Sequence, residues 1–433
     1  MNTALDCTLK KLLRERFLAA AKRSPVGIFG NGVTARGVRK LLEKLNLRSI
    51  IYDRDPRRGE NFDGQALRRH HIIIGSPSFL SHHPWRKLLL AAKKWYWPEL
   101  DFASLWHFGG VVAVTGTNGK TTTASFLAEI FNGDGRRAFT AGNIGRSLSD
   151  LVAAEDLGAG DTIFCETSSF QAETLNFFAP DYLIWTNFAP NHFDYHGTLR
   201  DYFAAKYRLV RRLAAVHGAG ETRLFAGESV ATWAHYFRLA MPQETHYLAP
   251  KKTLLAPFDD FPQRENYAIV EDFCRCRGIA PEVVAAAATH FRRPKYRLEN
   301  MGAIGGNTYW NDSKCTNFAA LEAALGHFSG RDVIWIGGGH FKGGNLEDIV
   351  SILRGRVERA VLIGETGAPL EAILRKQNFP AIYVKTLENA VRYIKNACFS
   401  EKNIVFSPAF SSFDQFSDYE ERGKFFEKCI FSL

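Results

Sequence analysis

Short apolar runs alternate along the chain with longer stretches in which apolar residues recur every three or four positions. This alternation predicts strands that are each followed by a helix, which is the pattern of parallel α/β sheets. The predicted strands cover 26–30, 49–53, 71–75, 111–116, 161–166, 182–186, 333–339, 360–364 and 403–408. The predicted helices cover 1–24, 35–46, 121–132, 199–216, 345–355, 369–376 and 387–398, and a helix pair lies within 266–291.

Three stretches of the chain each begin with a strand signal followed by a glycine turn, and they divide the pattern into three parts. We therefore predict three α/β domains, at 1–107, 108–292 and 293–433. A chain of 433 residues suits this number, because a domain commonly holds roughly 100–200 residues.

Composition limits the possible classes of protein. With 46 % hydrophobic and 23 % charged residues the chain is typical of globular proteins. No apolar run approaches the roughly 20 residues that span a bilayer, and charges interrupt the predicted helix 1–24, so we expect neither a signal peptide nor a membrane partner. Seven cysteines without a secretion signal predict reduced thiols and a cytoplasmic protein, which we expect to be a monomer.

The net charge of +10 admits nucleic acid as a partner, but no basic run with interleaved aromatic residues accompanies it. Small polyanionic substrates also suit a basic surface. We therefore expect small-molecule partners and no nucleic acid.

The strongest chemical signal is a glycine-rich loop directly after an apolar strand, Gly116-Thr117-Asn118-Gly119-Lys120-Thr121-Thr122. Backbone N–H groups of such a loop and of the following helix point at a phosphate. Lys120 can neutralise the β- and γ-phosphates, and the Thr121 hydroxyl can bind Mg²⁺. Val114 stands where the full Walker A motif has its first glycine, so this loop is a shorter variant.

Further polar groups follow neighbouring strands. Glu166 ends a predicted strand, where it can serve as a Mg²⁺ carboxylate, while Ser168 or Ser169 suits a helix N-cap. His192 lies in a loop with Asp194 and a second histidine, and we interpret it as a candidate metal ligand. Taken alone, Lys206 is typical of a surface lysine.

The first domain carries Gly30-x-Gly32-x-x-Ala35 between a strand and a helix, and Asp53 ends the next strand. This arrangement is the dinucleotide fingerprint, with the phosphate at the helix N-terminus and the carboxylate on a ribose. The same geometry holds a UDP diphosphate equally well. The fingerprint by itself therefore leaves NAD and UDP open.

Together these motifs resemble, in order, those of the Mur ligases and folylpolyglutamate synthases. The resemblance covers nearly the whole chain and rests on 115–122, 142–145, 166–171, 187–196 and 311–317. The segments 407–416 and 419–423 are similar to the C-terminal signature of the D-glutamate-adding Mur ligases. The implied fold has a Rossmann-like N-terminal domain, a central P-loop-type ATPase domain with a parallel sheet, and a Rossmann-like C-terminal domain.

The implied reaction is ATP-dependent ligation of D-glutamate to UDP-N-acetylmuramoyl-L-alanine through an acyl phosphate, with Mg²⁺, in peptidoglycan precursor synthesis. The resemblance assigns catalytic roles to Lys120, His192, Lys206 and Lys314. It assigns the metal to Thr121, Glu166, His192 and a carbamylated Lys206, and the nucleotide to the loop 116–122 with Asn266, Arg297 and Asp312.

Substrate contacts are implied in the same way. The UDP-substrate would be held by Val33, Thr34, Asp53, Arg54 and Asn143. D-glutamate would be held by Lys314, Thr316, Lys342, Ser412 and Tyr419.

Three positions depart from the family pattern. Ser78 stands where glycine is usual, Tyr296 where histidine is usual, and no aspartate lies near Lys342 in the segment with His340 and Phe341. The alternatives are a different Mur ligase or a folylpolyglutamate synthase, an NAD-dependent dehydrogenase, and a catalytically silent nucleotide-binding protein. The dehydrogenase leaves the loop and Glu166 unexplained.

Overall fold

The computed structural model describes residues 2–79, 82–107, 109–143, 145–218, 222–250, 257–258, 263–328, 330 and 332–432, with side chains from residue 8 onward. The chain forms two compact units. The first comprises Met1–Phe188, Phe203–Ala249 and Asn266–Ala288, and the second comprises Ala189–Tyr202, Pro250–Glu265 and Thr289–Leu433. These units do not coincide with the predicted domains, and the boundaries at 108 and 293 stay predictions.

The first unit begins with a four-stranded parallel sheet in the order β2-β1-β3-β4. Aromatic rings fill one face of this sheet, where Phe29 packs between Phe62, Phe79 and Trp85. Its strands are β1 (Val26–Phe29), β2 (Ser49–Tyr52), β3 (Ile72–Gly75) and β4 (Trp95–Pro98). Its helices are α1 (Asn2–Arg23), α2 (Val33–Lys44), α3 (Gly64–Arg69), α4 (Pro84–Ala91) and α5 (Glu99–Ser104).

A second, six-stranded parallel sheet belongs to the same unit, in the order β10-β9-β8-β5-β7-β6. Its strands are β5 (Gly110–Thr115), β6 (Ala138–Gly142), β7 (Thr162–Glu166), β8 (Tyr182–Trp185), β9 (Leu224–Gly227) and β10 (His246–Leu248). The helices that accompany it are α6 (Lys120–Gly133), α7 (Leu148–Ala154), α8 (Ser169–Thr174), α10 (Leu199–His217), α11 (Glu228–Phe237), α12 (Gln263–Cys276) and α13 (Pro281–His290). The central strands β5, β7 and β8 are almost wholly buried, as expected for a parallel sheet covered on both faces.

The second unit contains a six-stranded sheet in the order β11-β12-β16-β13-β14-β15, in which only β11 and β12 pair antiparallel. Its strands are β11 (Glu299–Ile304), β12 (Asn307–Asn311), β13 (Val333–Gly338), β14 (Arg359–Ile363), β15 (Ala381–Lys385) and β16 (Asn403–Phe406). Its helices are α14 (Phe318–Leu325), α15 (Asp348–Leu353), α16 (Gly367–Lys376), α17 (Leu387–Asn396) and α18 (Tyr419–Phe431), and a one-turn helix α9 (Phe193–His196) also belongs to this unit.

The predicted α/β class with mostly parallel sheets is thereby confirmed. Among the described residues no helix is both long and apolar enough to cross a membrane. The parallel arrangement matters for chemistry, because the loops that follow the carboxyl ends of adjacent strands lie along one edge of a sheet.

Candidate active site

The glycine-rich loop joins β5 to α6, as predicted. Gly116 and Gly119 adopt φ values of 146° and 83°, which side-chain-bearing residues rarely adopt. A Cβ on Gly116 would lie 2.0 Å from the Thr186 hydroxyl oxygen, and one on Gly119 would lie 2.4 Å from Oδ1 of Asn266. Both positions therefore need glycine, and the loop places Asn266, a predicted nucleotide contact, directly against its backbone.

Thr186 and Asn187, which directly follow β8, hold this loop in shape through hydrogen bonds. The Asn118 amide donates to Oδ1 of Asn187 at 2.9 Å, and the Thr117 amide donates to the Asn187 carbonyl at 3.1 Å. The Thr186 hydroxyl donates to the Asn118 carbonyl at 2.5 Å. Sequence reasoning gave Thr186 and Asn187 no role. The signal that could have pointed to them is their position: they directly follow β8, which lies beside β5, the strand that leads into the loop.

Lys120 opens α6 and folds back over the loop. Its ammonium donates to the carbonyls of Gly116, at 3.0 Å, and Thr117, at 2.9 Å. A positive charge thus lies at the loop, which suits an incoming phosphate group. Contact with the phosphate itself stays a prediction.

Glu166, at the end of β7, joins the loop to a predicted substrate residue. Its side chain is buried, and Oε2 accepts a 2.6 Å hydrogen bond from the Thr121 hydroxyl. Its Oε1 accepts a 2.9 Å hydrogen bond from the side-chain amide of Asn143. The structure therefore brings two predicted metal ligands into contact, with the predicted UDP-substrate residue beside them.

The predicted N-cap role of Ser168 in the same segment is confirmed. Its hydroxyl accepts from the Gln171 amide, and Oε1 of Gln171 accepts from the Ser168 amide, which completes a capping box. This cap fixes the turn that directly follows Glu166.

Lys206 is 1 % exposed, unlike the surface lysine that the sequence alone suggested. It lies on α10, and its amine donates to the Gly116 carbonyl at 2.8 Å. Burial is the main cause that lowers its pKa well below the usual value; the nearby Lys120 charge lowers it further, and Glu166 partly opposes both. The low pKa favours a neutral amine at the base of the phosphate loop.

The predicted UDP site lies at the N-terminus of α2. Val33 and Thr34 form the first turn of this helix, which has no side-chain cap. Asp53 accepts a 2.8 Å hydrogen bond from the Asn31 amide, so its carboxylate braces the glycine turn. Arg54 donates to the ring of His83 at 2.8 Å. Burial lowers the pKa of His83 to about 4, and the charge of Arg54 contributes to this shift.

The structure shows the local backbone at two of the departures from the family pattern. Ser78 is not among the residues with positive φ, so this position does not need glycine; its hydroxyl pairs with that of Ser76 at 3.1 Å. Tyr296 adopts a φ of 63° and Leu298 one of 49°, on either side of Arg297. Such backbone strain commonly persists where function requires a fixed side chain.

In the second unit, a cavity of about 310 Å³ brings together His192, Thr316 and Lys342, with Phe341 and Phe410 in its wall. The loop that carries Lys342 is fixed because its carbonyl accepts from the Asp194 amide at 2.8 Å. Two predicted D-glutamate residues and the predicted histidine thus line one cavity. The other predicted metal ligands, Thr121, Glu166 and Lys206, belong to the first unit.

The remaining predicted D-glutamate residues lie around the start of α18. The ammonium of Lys314 is 3.5 Å from the centre of the Tyr419 ring, a cation–π contact. Ser412 is buried, and its carbonyl accepts from the Phe416 amide at 2.8 Å. The neighbouring Ser411 pairs with the backbone of His340, which ties this segment to the loop of Lys342.

Asp312 is buried beside Arg297. It accepts from the Ser407 hydroxyl at 2.7 Å and from the Leu298 amide at 3.1 Å, yet burial still raises its pKa to about 7. Sequence reasoning missed the positioning role of Arg422, which is 1 % exposed. Its guanidinium donates to the Ser313 carbonyl at 2.8 Å and to the Phe410 carbonyl at 3.0 Å. Arg422 therefore connects the loop after β12 with the loop after β16.

Comparison with known proteins agrees with this geometry. The family described as Mur ligase middle domain matches residues 114–219. Among solved structures, the UDP-N-acetylmuramate–alanine ligase MurC of Thermotoga maritima has a TM-score of 0.58 at 16 % identity, covering 94 % of this chain and 99 % of its own. MurF of Thermotoga maritima, in complex with ADP, has a TM-score of 0.57 at 15 % identity, covering 85 % and 91 %. The fold is that of the three-domain Mur ligases.

Sequence relatives define the class more narrowly. The UDP-N-acetylmuramoylalanine--D-glutamate ligase of Nitratidesulfovibrio vulgaris (strain Miyazaki F) is 33 % identical over 365 residues, 82 % of this chain and 78 % of the relative. The enzyme of the same name from Leuconostoc mesenteroides is 32 % identical over 442 residues, 93 % and 96 %. The chain belongs to the UDP-N-acetylmuramoylalanine--D-glutamate ligase family. The dehydrogenase alternative finds no support among these relatives.

Proposed function

We propose that this protein uses ATP to join D-glutamate to UDP-N-acetylmuramoyl-L-alanine, releasing ADP and phosphate, as a cytoplasmic step of peptidoglycan precursor synthesis. The observation that carries the proposal is the position of Glu166. Its carboxylate accepts from Thr121 of the phosphate loop on one side and from Asn143 on the other. The nucleotide and the acid to be activated would therefore meet at one carboxylate.

The donor set at this point suits Mg²⁺. Hydroxyl and carboxylate oxygens are the ligands that this ion prefers, and those of Thr121 and Glu166 are 2.6 Å apart. Bound there with ATP, Mg²⁺ would withdraw charge from the phosphate oxygens. Family resemblance adds His192 and a carbamylated Lys206 to the ligands.

The chemistry needs an activated carboxylate, because a free carboxylate is a poor acyl donor. An oxygen of the L-alanine carboxylate attacks the γ-phosphorus, the bond to the β,γ-bridging oxygen breaks, and ADP leaves. Lys120 and the loop amides stabilise the charge that gathers on the phosphoryl oxygens. Asn266, Arg297 and Asp312 would hold the rest of the nucleotide, and Val33, Thr34, Asp53 and Arg54 would hold the UDP group.

The amine of D-glutamate then attacks the carbonyl of the acyl phosphate. It loses a proton, the bond from the carbonyl carbon to the phosphate oxygen breaks, and an amide and phosphate result. Lys314 and Lys342 offer positive charge to the two carboxylates of D-glutamate, and Thr316, Ser412 and Tyr419 offer hydroxyl groups. Holding both reactants in line can contribute about 7–11 kcal/mol to the lowering of the barrier.

The decisive experiment measures phosphate release from ATP in the presence of Mg²⁺ and UDP-N-acetylmuramoyl-L-alanine. D-glutamate should stimulate release, whereas L-glutamate, L-lysine and meso-diaminopimelate should not. Lys120→Ala should abolish stimulation, because it removes the charge at the loop. Stimulation by another of these amino acids, or none by D-glutamate, would refute the assignment.

A further inference from the structure

A groove on the first unit concentrates positive charge around an exposed aromatic ring. Arg16 and Arg23 of α1 line one part of it. Lys93 and Lys94, which directly precede β4, and Trp95, the first residue of β4, line another. We call this set the basic groove. All five belong to the first unit, and none has been given a part in the proposed reaction.

The charge of this surface is one-sided. Residues 8–24 contain six lysines and arginines and one carboxylate, Glu15, while residues 84–96 contain four and none. Among the described residues, no ion pair involves the four cations of the basic groove. Their charge is therefore available to an external anion.

Exposed leucines lie beside the basic groove, on the same face of α1 as Arg16 and Arg23. Leu9, Leu12, Arg16 and Arg23 follow one another at helical spacing, so they share one face of the helix. Leu9 is 44 % and Leu12 is 43 % exposed. The inner face of the same helix carries Phe17, which is buried against Trp97 and Phe102. The apolar residues of the outer face thus have no place in the core.

The second wall, with the end of α4 that precedes it, shows the same combination. Leu90 is 67 % exposed and Trp95 is 43 % exposed. Together with Leu9, Leu12 and Leu88 they make up five of the ten large apolar side chains that the described part of the chain exposes. Exposed apolar residues are thus concentrated on α1 and on residues 88–95, which form the basic groove or directly adjoin it in the chain.

We propose that the basic groove and the leucines beside it form a peripheral binding surface for anionic lipid bilayers. Lysine and arginine attract the negative headgroups, while leucine and tryptophan enter the boundary between headgroups and acyl chains. A nucleic acid would use the charge but offers no apolar layer for Leu9, Leu12 and Leu90. Such reversible contact differs from a spanning helix, and it revises the expectation that no membrane is a partner.

The test is co-sedimentation of the full-length protein with phosphatidylglycerol-containing vesicles and with pure phosphatidylcholine vesicles. Only the anionic vesicles should carry the protein into the pellet, and higher salt should release it, because the screening length falls to about 3 Å at 1 M. Lys93→Glu/Lys94→Glu should weaken binding at least tenfold. The matched control is Lys376→Glu/Lys428→Glu, an equal charge change at exposed sites of the second unit, and it should bind as the wild type does.

Leu9→Ser/Leu12→Ser separates a bilayer from a purely electrostatic partner. It should weaken vesicle binding several-fold with no change of charge. Unchanged vesicle binding by this variant, or by the Lys93/Lys94 variant, overturns the proposal, as does a wild-type protein that binds a single-stranded oligonucleotide but no vesicle. All variants should keep D-glutamate-dependent phosphate release in solution, which shows that they are folded.

Discussion

Three buried side chains, Glu99, Lys206 and Asp312, have pKa values shifted toward the neutral form, with burial as the largest cause in each. Local sequence could not reveal this, because a pKa depends on groups that are distant along the chain. Lys206 is typical of a surface lysine until the fold places it against Gly116, 90 residues away. Its predicted role as a carbamylated metal ligand came from family resemblance alone.

For Lys206 we expect the neutral amine to add CO₂, giving a carbamate and releasing a proton. The low pKa matters, because only the unprotonated amine reacts. With ¹³C-bicarbonate the wild type should show a carbamate signal by ¹³C NMR that Lys206→Arg lacks. Activity should fall on removal of CO₂ and return with bicarbonate.

Lys206→Arg should be inactive under both conditions, because arginine remains charged. If the wild type works equally well without CO₂ and shows no signal, the modification has no part in catalysis. The loop geometry and the ligase assignment would remain.

For Glu99 we expect the protein to become less stable as pH rises, whereas a salt-bridged carboxylate makes a protein more stable as pH rises. Burial raises its pKa from 4.5 to about 7, although the Ser149 amide donates to it at 2.6 Å. The folded state therefore holds the proton more tightly, and stability falls as pH rises from about 4.5 to 7. The shift in the pKa corresponds to a loss of about 3 kcal/mol in the free energy of unfolding.

Glu99→Gln should accordingly be more stable than the wild type at pH 8 and differ little at pH 5, as measured by urea unfolding. Glu129→Gln is the matched control on an exposed site of α6 and should show no such trend. An equal effect of Glu99→Gln at both pH values would contradict the prediction.

At the scale of elements, the sequence predicted most of the buried strands, because a continuous apolar run bounded by glycine or polar residues is distinctive. The buried strand β9 was missed, since its apolar run is only three residues long. The strands β5, β7, β8 and β13 appear within one residue of their predicted bounds. The hairpin of β11 and β12 was not predicted, because β11 has no buried residue and the buried residues of β12 alternate with half-buried ones, so neither strand has a long apolar run. The edge strands β4, β10 and β15 were missed for a similar reason.

The packing of α2 on α7 depends on one glycine. A Cβ on Gly37 would lie 2.2 Å from the Ser147 hydroxyl oxygen and 2.8 Å from the Asp150 amide nitrogen. These two atoms form the N-cap of α7. Nearby, the Lys40 ammonium pairs with the Asp150 carboxylate at 2.6 Å.

Gly37→Ala should therefore destabilise the protein by about 1–2 kcal/mol in urea unfolding, because crowding outweighs the better helix propensity of alanine. Gly133→Ala is the control, since this helical glycine has no atom within 4 Å of the added Cβ. It should be neutral or stabilising. Equal stability of the two variants would show that the helices separate without cost.

At the scale of the whole molecule, the order of motifs predicted the three-sheet architecture through family resemblance, whereas periodicity alone gave only the α/β class. Contacts divide the chain differently from the sequence, because 189–202 and 250–265 belong to the second unit although they lie within the predicted central domain. A sequence cannot show this, since excursions of the chain between units leave no mark on local periodicity. We keep 1–107, 108–292 and 293–433 as proposed domain boundaries.

The proposed reaction requires side chains of both units at one reacting centre. The phosphate loop and Glu166 belong to the first unit, and Thr316, Lys342 and Tyr419 belong to the second; the mechanism uses both sets at one carbonyl carbon. Water must also be excluded, because it would hydrolyse the acyl phosphate. We therefore expect the radius of gyration from small-angle X-ray scattering to fall when a non-hydrolysable ATP analogue, Mg²⁺ and UDP-N-acetylmuramoyl-L-alanine are present together. Lys120→Ala should show a smaller decrease, since it weakens nucleotide binding, and identical profiles for the free and the fully loaded wild type would count against closure.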